Sequence, residues 1–158
     1  MITIHIVCIG KLKEDYLRAA CAEYQKRLSA FCRLEIFELP EYRLPSDPSP
    51  AQIEQGLDAE GKAILQKCGG MMIPLCIEGK ELSSPELAEK ISSVAVGGES
   101  EIDFIIGGSF GLSGEVKSKA GLRLSMSPMT FPHQLARVML LEQIYRSFQI
   151  ISGGKYHK

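Results

Sequence analysis

The sequence predicts an α/β fold, a mostly parallel sheet with helices on both faces. Three observations carry that expectation. Stretches of period-two apolar alternation take turns with stretches of three- and four-residue spacing, the order expected of strands joined by crossover helices. The 158 residues are 45% hydrophobic and 23% charged, enough for one full core. No repeat, low-complexity tract or linker divides them, so residues 1–158 are expected to form a single domain.

Met1–Gly10 alternates Ile2, Ile4 and Ile6 with smaller or polar residues and stops at glycine, a strand. Glu14–Ala30 places Leu17, Cys21, Tyr24 and Leu28 on one helical face. Arg33–Leu39 alternates again and ends at Pro40. Four prolines between residues 40 and 50 then mark an extended loop before a helix over Ala51–Cys68. Gly69-Gly70 breaks that helix. Met71–Ile77 reads as a buried strand closed by Glu78-Gly79. Ser83-Ser84-Pro85-Glu86 opens a helix with a hydroxyl cap, an early proline and an early acid. Ile102–Ile106 is a short strand ending in Gly107-Gly108, Ser113–Lys119 a short helix, Leu122–Ser125 a short strand, and Pro132–Phe148 a long last helix.

Composition narrows the setting. The longest apolar run, Met71–Ile77, is far shorter than the roughly 20 residues that cross a bilayer. The N-terminus lacks a basic lead-in and a small-residue cleavage site. Cys8, Cys21, Cys32, Cys68 and Cys76 are odd in number and form no C-x-x-C pair, which points away from a disulfide framework or a metal site. A cytoplasmic protein with no membrane contact and no metal is expected. The net charge of −1 hides a split: residues 1–110 hold 11 Lys/Arg against 17 Asp/Glu, while residues 111–158 hold 7 against 2. A basic face built from the last third can bind an anion while the whole chain stays near neutral.

Ligands of open parallel sheets settle beyond the carboxyl ends of the strands. Three such loops qualify: Glu78-Gly79, Gly107 to Gly114, and Met126 to Phe131. The second also spells G-x-S-x-G, Gly107 to Gly111, the pattern of a serine nucleophile elbow. Ser109 would then draw on His133 or His157 and on Glu115 or Glu142. The chain is short for a hydrolase sheet, however, and the loop runs on through Leu112-Ser113-Gly114 before any helix. Neither G-x-G-x-x-G nor a phosphate loop is present.

The last helix is apolar all round: Leu135, Val138, Met139 and Tyr145 on one side, Leu140, Leu141, Ile144 and Phe148 on the other. Its own sheet can cover one side only, and a second copy is the economical cover for the other. Glu142 and Arg146 stand four apart in the favoured order for an ion pair, and Arg137 sits among leucines. His133 occupies the first turn, where free N–H groups suit an anion. His5 alternates with Ile4 and Ile6 and reads as structural. The tail Gly153-Gly154-Lys155-Tyr156-His157-Lys158 joins two glycines to cations, a ring and an imidazole, a mixture able to stack on a base and hold phosphate.

Several stretches resemble one family. They are Ile9-Gly10-Lys11-Leu12-Lys13, Leu75 to Gly79, Asp103 to Leu112, Leu124 to His133, Arg137, Leu141 to Arg146, and Tyr156-His157. Together they resemble the RlmH family of the SPOUT superfamily across essentially the whole chain. The resemblance implies a C-terminal trefoil knot, a homodimer, and S-adenosylmethionine as cofactor. The implied reaction is methylation of N3 of a pseudouridine in 23S ribosomal RNA of the assembled ribosome. It places Leu75, Gly107, Met126, Ser127, Pro128, Met129, Thr130 and Phe131 at the cofactor, on the three strand-end loops. For catalysis we expect Arg146 at a phosphate or the developing anion, and His133 and His157 at base positioning or proton removal. Arg137, Lys155 and Tyr156 are expected to meet RNA. Two alternatives accompany this reading: a ribosome-binding dimer without catalysis, and the serine hydrolase at Ser109.

Overall fold

A computed structural model describes residues 1–158. The elements alternate from end to end: β1 (Thr3–Ile9), α1 (Asp15–Leu28), β2 (Arg33–Leu39), α2 (Pro50–Lys67), β3 (Met71–Glu81), α3 (Ser84–Val96), β4 (Glu101–Ile106), α4 (Gly114–Ser118), β5 (Leu124–Ser125) and α5 (His133–Ile151). All strand pairs are parallel, in the order β2-β1-β4-β3-β5. Parallel strands buried on both faces send alternate side chains to opposite layers. Ile4, Ile6, Ile73, Ile102 and Phe104 point into a large core shared with α1, α3 and α5. Val7, Ile9, Met72 and Ile105 point into a smaller core closed by Ile64 of α2 and Val116 of α4. Helices therefore cover both faces, as the alternation predicts.

Local chemistry fixes the helix starts. Ser83 caps α3: its hydroxyl accepts from the Glu86 N–H at 3.2 Å, while the Glu86 carboxylate accepts from the Ser83 N–H at 2.9 Å. Ser49 and Gln52 repeat this reciprocal cap on α2, and Ser113 caps α4 by accepting from the Val116 N–H.

Two boundaries differ from the sequence reading by three residues or more. β3 is not closed by Glu78-Gly79 but continues to Glu81, with its pairing to β5 shifting between Leu75 and Lys80. The Lys80 N–H donates to the Arg123 carbonyl at 2.8 Å, and a Cβ on Gly79 would stand 2.6 Å from that same oxygen. Glycine lets the strand bulge past its neighbour instead of ending. The last helix also runs three residues beyond Phe148, to Ile151.

At the amino ends of the strands, away from the carboxyl rim, Asp103 is fully buried. Its carboxylate accepts from His5 Nδ1 at 2.9 Å and from the N–H groups of Gly69 and Gly70 at 3.0 and 2.8 Å. His5, read as structural, is thus tied to β4. Burial pushes the Asp103 carboxyl up to about 6, opposed by the Gly70 amide and helped by neighbouring Glu101. The folded chain therefore takes up a proton near pH 6, where the unfolded chain does not until about pH 4. This contribution is present below that range and is lost as pH rises through about 6. The melting temperature of the wild-type chain relative to Asp103→Asn should accordingly fall between pH 5 and pH 7. A flat difference across that interval would contradict the assignment.

Candidate functional site

Three neighbouring strands, β4, β3 and β5, deliver their carboxyl-terminal segments to one edge of the sheet. A cavity of about 210 Å³ lies there. Its walls are the β3 bulge (Leu75, Cys76, Ile77), the turn after β4 (Gly107, Gly108, Ser109, Gly111) and the segment after β5, with His133 and Ala136 of α5 closing one side. Of the residues expected at a cofactor, Leu75, Gly107, Met126, Ser127, Met129, Thr130 and Phe131 line this cavity; Pro128 does not.

The chemistry of the walls is mixed. Leu75, Ile77, Ile106, Met129 and Phe131 supply apolar surface for a ring system. The backbone supplies the polarity. Residues 126–131 make no backbone-to-backbone hydrogen bond. Within that run only the Ser127 carbonyl and the Met129 N–H have protein partners, the hydroxyls of Ser125 (3.2 Å) and Ser127 (3.0 Å). Main-chain donors and acceptors left free along an apolar cavity are the complement of a bound nucleoside. Gly107 brings its backbone to the wall because a Cβ there would stand 2.4 Å from the Gly111 carbonyl oxygen. The Cys76 thiol is pushed up by burial and by Glu78, so it stays protonated and lines the wall as a small apolar group.

The other site candidates lie elsewhere. Arg146 donates to one oxygen of Glu142, from Nη2 at 2.5 Å and from Nε at 2.9 Å. Its Nη1 meets His157 Nδ1 at 3.2 Å. The Tyr156 hydroxyl donates to the same Glu142 oxygen at 3.1 Å, and the Arg146 guanidinium lies 4.8 Å from the Tyr156 ring centre. Burial, then hydrogen bonds with Tyr24 and Glu142, pushes the Tyr156 phenol up to about 12, so it is neutral. None of these side chains lines the 210 Å³ cavity. Of this cluster only Glu142 lines a second groove of about 570 Å³, walled also by Tyr24, Leu82, Leu87, Val138 and Met139 among others, which shares Leu124 and Met126 with the first. Lys155 is exposed beside them.

Arg137 is placed differently from the expectation of an RNA contact. It is 4% exposed, donating to Glu38 at 2.7 Å and to the Gly10 carbonyl at 3.3 Å. A buried guanidinium needs its carboxylate, and the bond ties β2, β1 and α5 together. Ser109 donates to Glu41 at 3.2 Å, and no imidazole is hydrogen-bonded to it, so the base of a serine hydrolase is missing.

Sequence reasoning missed Cys76, Ile77, Ile106, Leu124 and Ala136 in the cavity wall. Ile106 immediately precedes the predicted turn and could have been included by position. Ile77 and Ala136 depend on the bulge and on the approach of α5, which no local pattern reveals.

The chain is similar to known proteins along nearly its whole length. The family model described as "Predicted SPOUT methyltransferase" matches residues 2–157. The chain is 52% identical over 157 residues to the ribosomal RNA large subunit methyltransferase H of Clostridioides difficile (strain 630), covering 98% of this chain and 99% of that one. The protein of the same name from Leuconostoc mesenteroides is 47% identical over the same shares. Among solved structures, a probable methylase family protein from Haemophilus influenzae Rd KW20 superposes with a TM-score of 0.54 at 15% identity. It covers 98% of this chain and 70% of that one, a likeness of fold.

Proposed function

Because this chain belongs to the SPOUT methyltransferase family, we propose that it transfers a methyl group from S-adenosylmethionine to N3 of a pseudouridine in large-subunit ribosomal RNA. The reading extends to a C-terminal knot, to a cytoplasmic setting and to a homodimer acting on the assembled ribosome. One observation carries it: the segments after β4 and β5 and the β3 bulge close on a single cavity whose walls are apolar side chains and free backbone groups. The names of the full-length relatives supply the substrate class.

The cavity fits the cofactor by chemistry. Leu75, Ile77 and Phe131 would hold the adenine, and the free amides and carbonyls of Met126 to Thr130 its polar edges and sugar. When bound, the cofactor supplies a methyl already activated by its positive sulfur. The work left to the protein is alignment and handling of the N3 proton. His133, on the cavity wall at the start of α5, is placed to orient the base or accept that proton. Arg146, Tyr156 and His157 lie together on the side of α5 that carries the second groove. In a two-fold dimer packed through that groove, these residues of one subunit would reach the cavity of the other, with Arg146 at a phosphate or the anion and Tyr156 and Lys155 against RNA. Val138, Met139 and Tyr145, only partly covered by their own subunit, would form the contact.

The test is transfer of labelled methyl to ribosomes from cells lacking this protein, followed by mass analysis of the RNA. Label at N3 of one pseudouridine is expected. Cofactor binding without transfer to ribosomes would refute the substrate.

A further inference from the structure

The cations expected to form a basic face are largely consumed inside the molecule. Lys117 pairs with Glu78, Lys119 with Glu115, Arg137 with Glu38 and Arg146 with Glu142, four of the seven Lys/Arg of residues 111–158. Unpaired positive charge also stands in a part of the chain whose overall balance is acidic, the corner between β1 and α1, which adjoins His133 of the cavity wall. Lys11 and Lys13 are exposed there, and neither ammonium is paired with a carboxylate.

This corner is held in place. The Lys13 N–H donates to Gln134 Oε1 at 2.9 Å, next in sequence to His133. The Leu12 N–H donates to Glu38 at 3.3 Å, and the Leu12 carbonyl accepts from Arg18 at 2.7 Å. The Gly10 carbonyl accepts from buried Arg137. A Cβ on Gly10 would stand 3.9 Å from His133 Nε2, so the corner touches the cavity wall. Glu38 is neutralised by Arg137 and Glu41 is held by the Ser109 hydroxyl. Glu14 is the nearest acid in sequence without a partner. One step into α1, Tyr16 is 70% exposed, and its ring stacks on no aromatic or cationic neighbour. Two unpaired cations and a bare aromatic ring on a fixed corner are what single-stranded RNA requires: charge for phosphates and a face for a base.

We infer that the β1–α1 corner is an RNA-docking surface, Lys11 and Lys13 holding phosphates beside the target nucleotide and Tyr16 stacking on a neighbouring unpaired base. The inference rests on the ribosomal RNA reading and deepens it, placing part of the substrate grip on the subunit that owns the cavity.

Binding of the full-length protein to ribosomes lacking the modification, measured across salt concentrations, tests it. The Lys11→Gln/Lys13→Gln variant should bind about tenfold more weakly, with the slope of log affinity against log salt reduced by about 1.5. Tyr16→Ala should weaken binding about tenfold without changing the slope. Cofactor affinity should be unchanged in both, Lys62→Gln on α2 should behave as wild type, and Lys11→Arg/Lys13→Arg should restore the slope. Wild-type methylation of ribosomes together with unchanged affinity and slope in the variants would overturn this inference alone. A wild-type chain that neither binds nor methylates ribosomes would overturn it together with the reading beneath it.

Discussion

Gly107→Ala is expected to weaken S-adenosylmethionine binding about 5- to 150-fold while leaving the melting temperature nearly unchanged. The new methyl would stand 2.4 Å from the Gly111 carbonyl oxygen, closer than any side-chain carbon tolerates, so the turn after β4 must shift. Overpacking of this kind costs about 1–3 kcal/mol, and each 1.4 kcal/mol is about tenfold in affinity. In the free protein the turn relaxes outward at the rim, and although the new methyl would also stand 3.0 Å from Leu112 Cδ2 of the smaller core, that flexible side-chain end can give way, so stability is largely spared. Binding requires it to return, and the cost appears there. Calorimetric titration with the cofactor, beside thermal melting, checks both halves. Unaltered affinity in a folded variant would mean that this turn does not form the wall of the site.

Mixed dimers should recover activity that neither parent has. At cofactor concentrations well below its weakened affinity, Gly107→Ala leaves the cavity empty while α5 and the tail stay intact. Arg146→Ala leaves the cavity intact but removes the guanidinium that holds both Tyr156 and His157 in reach of Glu142. Each homodimer should be close to inactive, the second while still binding cofactor. Random mixing places half of the subunits' dimers in the mixed form, each with one intact cavity facing one intact tail. About a quarter of wild-type methyl transfer is then expected. Complementation of that size requires that the residues of α5 and the tail serve the cavity of the other subunit. Mixtures no more active than their parents would place Arg146 and His157 outside the reaction or return them to their own subunit's site.

The layers of the fold were legible because they follow from local pattern. Alternation of Ile4 and Ile6 against Val7, and of Ile102 and Phe104 against Ile105, marks strands buried on both faces. Ser83 followed by Pro85 and Glu86 marks a helix start to the residue. What local pattern could not carry was pairing across long separations. Arg137 reads as an available cation among leucines, yet its partner Glu38 is 99 residues away and brings it into the core. Charge counted along the chain therefore overstates the basic face of the last third, where four of seven cations are paired. Glycine usually ends a strand, so the pattern stops β3 at Ile77; here the backbone of Arg123, just before β5, passes so closely that only glycine fits at residue 79. The site itself was legible in outline, since ligands of parallel sheets collect at the carboxyl rim. The contact of the tail with Glu142 was not: it is a tertiary event with no periodicity to announce it.

The most direct measurement is a crystal structure of the protein grown with S-adenosylmethionine. The account requires the nucleoside in the cavity between Leu75, Gly107 and the Met126–Phe131 run, with main-chain amides and carbonyls of that run on its polar edges. A saturated crystal with those backbone groups still facing solvent, or with the nucleoside bound anywhere else on the chain, would contradict it.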